Sequence, residues 1–155
     1  PAYVGRVLRD RGRTVALAES CTGGLVSTLL TDVAGSSDYL LVSAVTYSNA
    51  AKAELLGVSG EILRAYGAVS GECAGAMAEG ARRLADADLA VSITGIAGPG
   101  GGTEAKPVGT VWMALARRGA ETRIVEHRLG GDRRRIRRLS AFLALRMLAD
   151  AARET

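Results

Sequence analysis

A chain of 155 residues and 16.0 kDa has room for one well-formed core and little more. With 48% hydrophobic residues, 23% charged residues and 20 glycines against three prolines, its composition is globular and excludes disorder, collagen-like sequence and coiled coil. Two distant cysteines (Cys21 and Cys73) and one histidine (His127) exclude a zinc cluster, a disulfide framework and any mechanism that needs two imidazoles, while much of the basic charge behind the net +4 lies in one run at 133–138.

Tyr3, Val4, Val7 and Leu8 share one side of a helical period with Arg6, Arg9 and Asp10 on the other, so a short amphipathic helix stopping at Gly12 is expected. Residues 14–18 read as a buried strand. The polar turn Glu19-Ser20-Cys21-Thr22-Gly23-Gly24 and the periodic Leu25, Val26, Leu29 and Leu30 follow, which makes a strand, a turn and a helix. Residues 40–47 form a second strand, after which Ser48 or Asn49 caps a helix carrying Lys52 and Leu55-Leu56 and ending at Gly57.

Ser70 is the expected N-cap of a long helix to about Ala85, with Glu72 in its first turn and enough Ala and Gly to lie close on a sheet. Residues 88–94 are a third strand, running into the loop Gly95-Ile96-Ala97-Gly98-Pro99-Gly100-Gly101-Gly102. Residues 108–116 and 122–127 read as a hairpin turning around Arg118-Gly119. A basic-then-apolar helix from about Asp132 to Ala152 closes the chain, with Ile136, Leu139, Leu143, Met147 and Ala151 at helical spacing. This order predicts a single domain over residues 1–155, a three-layer α/β/α sandwich around a mixed β-sheet. The longest apolar runs, at 89–93 and 111–116, fall far short of the ~20 residues of a membrane span, and the first residues lack a signal-peptide apolar region. A cytoplasmic chain without membrane contact is expected.

Ligands of open α/β sheets collect beyond the carboxyl ends of strands. Three polar loops sit there: residues 19–24, 46–52 and 94–106. Ser20, at a strand-to-helix turn, is placed as a nucleophile whose oxyanion the amides of Cys21, Thr22 or Gly23 would hold, although the same place suits an N-cap. Cys21 is the alternative nucleophile. With His127 inside the hairpin, the base for a serine is a desolvated lysine, and Lys52 is the candidate. Ser48 lies four residues before Lys52 on one helical face and offers a second Ser-Lys pair, with Tyr47 beside it to orient substrate. The glycine loop, with Thr94, Gly95, Ala97 and Gly98, is long enough to wrap an anion with amides, but it is neither a Walker A motif nor a dinucleotide fingerprint. Arg133 heads the run Arg133-Arg134-Arg135-Ile136-Arg137-Arg138, and it or a neighbour is suited to grip a phosphate, although a solvated basic helix face accounts for the run equally well.

Ala18-Glu19-Ser20-Cys21-Thr22-Gly23-Gly24, Val45-Thr46-Tyr47-Ser48-Asn49-Ala50-Ala51-Lys52, Gly67-Ala68-Val69-Ser70, the glycine loop, Lys106-Pro107-Val108-Gly109-Thr110-Val111 and Gly131-Asp132-Arg133 run in order across nearly the whole chain. Together they closely resemble the CinA C-terminal domain family, the nicotinamide-nucleotide amidases also called PncC. The resemblance implies the α/β/α fold and deamidation of nicotinamide mononucleotide to nicotinate mononucleotide and ammonia in pyridine-nucleotide recycling. It implies no metal and no cofactor, and a homodimer. Carried over residue by residue, it puts the nucleophile on Ser20 and the base on Lys52, with Tyr47 and Thr94 assisting and Arg133 near the substrate phosphate. Cys21, Thr22, Gly23, Ser48, Gly95, Ala97 and Gly98 are then expected around the substrate. Longer members carry a further N-terminal domain resembling molybdopterin-binding proteins. The competing expectation is a non-catalytic nucleotide-binding or partner-docking module. Nucleic-acid binding through the arginine run is not expected, since the run lacks interleaved aromatics for stacking.

Overall fold

The computed structural model describes residues 1–154. Helix α1 (Ala2–Asp10) leads into strand β1 (Val15–Glu19), helix α2 (Leu25–Thr31), a 3-10 turn (Ser36–Asp38) and strand β2 (Leu40–Val45). Helices α3 (Asn49–Leu56), α4 (Gly60–Ala65) and α5 (Gly71–Ala85) precede strands β3 (Leu89–Gly95), β4 (Thr110–Arg117) and β5 (Arg123–Arg128), and helix α6 (Arg133–Arg153) ends the fold. The strands and the long helices end within two residues of the expected positions, the usual blur of an element boundary. The 3-10 turn and α4 have no counterpart in the sequence reading. Helix α4 has six residues and starts on a glycine, too short to show a period, and it stands because the Ser59 hydroxyl accepts the Ile62 amide at 3.2 Å.

The sheet order is β2-β1-β3-β4-β5, with β1 parallel to both of its neighbours and β4 and β5 antiparallel. The chain leaves β1 first toward β2 and later crosses to β3 on its other side. Helix α2 covers one face on the first crossover, and α3 to α5 cover the other on the second. The reversal beside β1 opens a crevice past its carboxyl end.

The two faces are filled differently. Val15, Leu17, Leu89, Val91, Ile93, Val111, Met113 and Leu115 point toward α1, α2 and α6 and form a bulky core with Ile136, Leu145 and Leu148. Ala16, Ala18, Ala90, Ala114 and Ala116 point the other way, toward Ala74, Met77, Ala78 and Ala81 of α5. Small residues on both sides let α5 lie close to the sheet, and a side chain at its Gly80 would run into the Leu56 carbonyl of α3. Helix α3 is thereby drawn against α5. Its end is fixed by Gly57, at φ +67°, whose amide donates to Ala53, while the Val58 amide donates to Lys52. That closure brings the side chain of Lys52 beneath the loop after β1.

Candidate active site

Glu19 ends β1 with its carboxylate fully buried, and it accepts the amides of Gly24, Val26 and Ser27 at 3.1, 3.1 and 2.9 Å. Those are the free amides of the first turn of α2, so this carboxylate, rather than the Ser20 hydroxyl, caps the helix. Sequence reasoning missed it. The available signal was an acid placed directly before a turn that opens a helix. With the cap supplied by Glu19, the Ser20 hydroxyl is free for other contacts.

That hydroxyl faces Lys52. The ammonium of Lys52 donates to Ser20 Oγ at 3.2 Å and to the Thr46 carbonyl at 2.8 Å, and the residue is only 1% exposed. No carboxylate is among its partners. Burial pushes the amine below its ordinary pKa of 10.5, because taking a charge out of water without a counter-ion favours the neutral form. The same burial drives the Cys21 thiol up to about 11. A thiol of that kind carries almost no thiolate at neutral pH and is a poor nucleophile.

The alternative pair is not made. Ser48 is the N-cap of α3, its hydroxyl accepting the Ala51 amide at 3.0 Å, while the Lys52 side chain turns away to Ser20. The fold therefore joins Lys52 to the serine 32 positions earlier, and not to the one four residues away. Of the three amides expected at an oxyanion, the Gly23 amide donates to the Ser20 carbonyl at 3.0 Å and is already used. The Thr22 amide has no hydrogen-bond acceptor among the described residues, and the Cys21 amide is directed at its own sulfur.

Around this centre a cleft is lined by Ser20, Cys21, Tyr47, Asn49, Lys52, Thr94, Gly95, Ala97 and Arg133. Thr22, Gly23, Ser48 and Gly98 are not among its lining residues. Thr94 is 1% exposed and donates its hydroxyl hydrogen to the Ala68 carbonyl at 2.7 Å, so it ties the end of β3 to the loop before α5. Arg133 spans the opening: its guanidinium donates to the Gly98 carbonyl at 2.8 Å and to the Tyr47 hydroxyl at 3.0 Å. One turn later Arg137 donates to the Thr22 carbonyl at 2.7 Å, a contact the sequence did not disclose. The arginine run thus has one side facing the loops of the cleft. His127 lies elsewhere, in a groove between β5 and α6 beside Arg123, Leu143 and Arg146.

A profile of the CinA C-terminal domain family matches residues 1–152. The chain is 56% identical over 145 residues to a CinA-like protein of Syntrophotalea carbinolica and 54% identical over 142 residues to one of Geobacter sulfurreducens. Those matches cover 94% and 92% of this chain but 35% and 34% of the relatives, so the chain spans about a third of their length. Among solved structures, the competence/damage inducible protein CihA of Agrobacterium tumefaciens superposes with a TM-score of 0.91 at 42% identity, covering 99% of this chain and 98% of that one. The competence damage-inducible protein A of Klebsiella pneumoniae gives a TM-score of 0.94 at 36% identity, covering 99% and 96%.

Proposed function

We propose that this chain, which belongs to the CinA C-terminal domain family, is an amidohydrolase that cleaves the carboxamide of nicotinamide mononucleotide. The observation that carries the reading is the buried contact of 3.2 Å between Lys52 Nζ and Ser20 Oγ, with no acid to hold the lysine charged. A module that only binds a nucleotide has no use for a serine and a desolvated amine in contact. Neutral Lys52 takes the Ser20 proton as Oγ attacks the carboxamide carbon. The oxygen of the tetrahedral intermediate sits against the amides of Cys21 and Thr22. Protonated Lys52 then passes its proton to the leaving nitrogen, ammonia departs, and an ester is left on Ser20. Water, deprotonated by the same amine, cleaves that ester to the carboxylate and restores Ser20.

The phosphate of the mononucleotide belongs at Arg133. A guanidinium has five N–H donors, so the two directed to Gly98 and Tyr47 leave others free for an anion at the mouth. The test is to incubate the purified chain with nicotinamide mononucleotide and follow ammonia and nicotinate mononucleotide together. Equal release of both is expected. A folded chain that binds the nucleotide and releases neither product would overturn the reading in favour of a binding module.

A further inference from the structure

Thr22 stands inside the turn that follows Ser20, and it is tied at one point only. On either side the backbone is firmly held: the Gly23 amide closes onto the Ser20 carbonyl at 3.0 Å, and the Glu19 carboxylate takes the amides of Gly24, Val26 and Ser27. Thr22 itself is fully buried, yet among the described residues its amide has no acceptor and its hydroxyl no hydrogen-bond partner. A buried amide in that state is costly unless something arrives to accept from it. Only the Thr22 carbonyl is engaged. The Leu25 amide reaches it at 3.4 Å, long for such a bond, and the Arg137 guanidinium donates to it at 2.7 Å.

Arg137 differs in this from its neighbours in the run. Arg134, Arg135 and Arg138 line a groove with Leu139 and Phe142 instead. Arg133 and Arg137, one turn apart, share the side of α6 that faces the cleft. The first reaches the Gly98 carbonyl and the Tyr47 hydroxyl at the mouth, and the second reaches the loop after β1. Gly23, at φ +60°, leaves the guanidinium its place across the turn, since a Cβ there would approach it to 3.4 Å.

We infer that Arg137 is a positioning residue for the amidase proposed above: by holding the Thr22 carbonyl it fixes the turn so that the Thr22 amide is presented to the oxygen that becomes negative as Ser20 attacks. The inference rests on that reading for its substrate, while the step it serves is common to any attack of Ser20 Oγ on a carbonyl carbon. Arg137 acts through the backbone and does not touch the reacting atoms. The amide and carbonyl of one residue are joined through a single Cα, so a bond that fixes one narrows the directions open to the other. Because the oxyanion exists only after attack, losing Arg137 weakens the transition state and spares the bound substrate. That split is the opposite of the one expected for an arginine that binds phosphate.

The test uses two substrates. One is nicotinamide mononucleotide. The other is p-nitrophenyl acetate, an activated ester that needs no nucleotide recognition and leaves acetate on Ser20 as p-nitrophenolate departs, followed by the mass of the intact chain with Ser20→Ala as background. Arg137→Ala should keep the wild-type circular dichroism spectrum, lower kcat for the mononucleotide about 100-fold with KM within about twofold, and slow Ser20 acylation by the same factor. Guanidinium chloride at millimolar concentration, far below its denaturing range, should restore part of both rates in Arg137→Ala and nothing in Ser20→Ala. Arg138→Ala should match wild type. If Arg137→Ala loses its spectrum, the comparison passes to Arg137→Lys, which keeps the charge and a donor and whose kcat should fall about tenfold at unchanged KM. A wild-type chain that is acylated at Ser20, in the Arg137-dependent manner stated, but leaves the mononucleotide intact would sink the amidase reading and support this inference. Wild-type rates in the Arg137 variant, a KM that rises as much as kcat falls, no recovery with guanidinium, or no acylation of wild-type Ser20 would each overturn it.

Discussion

Strands β1 and β3 run side by side and carry an ionisable cluster at each end, and the two clusters are opposite in design. At the amino end, Asp88 Oδ2 accepts the Thr14 amide and hydroxyl, both at 2.9 Å, and the Asp88 amide donates back to the Thr14 hydroxyl at 3.0 Å. Burial alone would push this carboxyl up, but the two Thr14 bonds together with Arg13 and Arg118 hold it below its ordinary value. At the carboxyl end, Lys52 has a hydroxyl and a carbonyl for partners and is driven toward neutrality. Partners, and not depth alone, separate a charge that fastens two strands from an amine free to take a proton.

The contrast breaks most completely at Ser20. Ser20→Ala should lower kcat/KM for the mononucleotide on the order of 10⁵-fold, the scale of losing a nucleophile. Its thermal melt should stay near wild type, since one hydrogen bond is worth about 1 kcal/mol. Ammonia release and calorimetry check the two halves, and retained turnover would move the nucleophile elsewhere.

Lys52→Met comes next, with a loss of turnover on the order of 10³-fold or more. Lys52→Arg should fail as well, because a guanidinium does not give up its proton near neutrality. The wild-type kcat/KM should rise with pH along a limb that lies below 10.5 and disappears in both variants. In Lys52→Met, stability should move the other way from activity. The unfolded chain holds the Lys52 proton more tightly than the folded one, so this residue costs stability at neutral pH and costs less as pH climbs toward 10.5. Lys52→Met should therefore melt at or above the wild-type temperature. A melt well below wild type would show the amine to be a structural tie like Asp88.

A smaller effect is expected at the mouth. Arg133→Ala should raise KM about tenfold, the worth of one hydrogen bond to a charged group, and change kcat less. Initial rates over a range of substrate concentrations separate the two terms, and an unchanged KM would remove Arg133 from the phosphate.

Asp88→Asn is the converse of Lys52→Met. Turnover should stay within about twofold of wild type, while chemical denaturation at pH 7 should show a loss of about 1 kcal/mol. Asp88 supports the fold above its unfolded pKa of about 3.9 and loses that support as pH falls through its lower folded value. The gap between wild type and variant should close over that acid range. The smallest effect belongs to His127, which burial pushes toward the neutral form in its groove away from Ser20. His127→Ala should change the rate by less than about twofold.

Much of this was readable in one dimension because the signals are local. β-branched runs marked the strands, Ser48 and Ser70 marked helix starts as N-caps accepting their own third amides, the period beginning near Asp132 marked the last helix, and Gly57 marked a stop. The periods were strong enough to place three polar loops after three strands, and hence to draw Ser20, Tyr47, Lys52 and Thr94 to one end of the sheet. Helix α4 escaped because six residues hold no period, and Glu19 because its partners lie on the next element.

What spacing along the chain left open was which serine the lysine meets. Ser48 is four residues from Lys52, the spacing of neighbours on a helix, and local reasoning offered it as a second pair. Tertiary structure decided for Ser20, because the Ala and Gly contacts of α5 draw α3 against the sheet and the Glu19 cap releases the Ser20 hydroxyl. The state of the lysine was decided there too. A side chain's charge depends on what surrounds it in space, and the absence of a carboxylate from the partners of Lys52 is a property of the packed molecule that no spacing along the chain records.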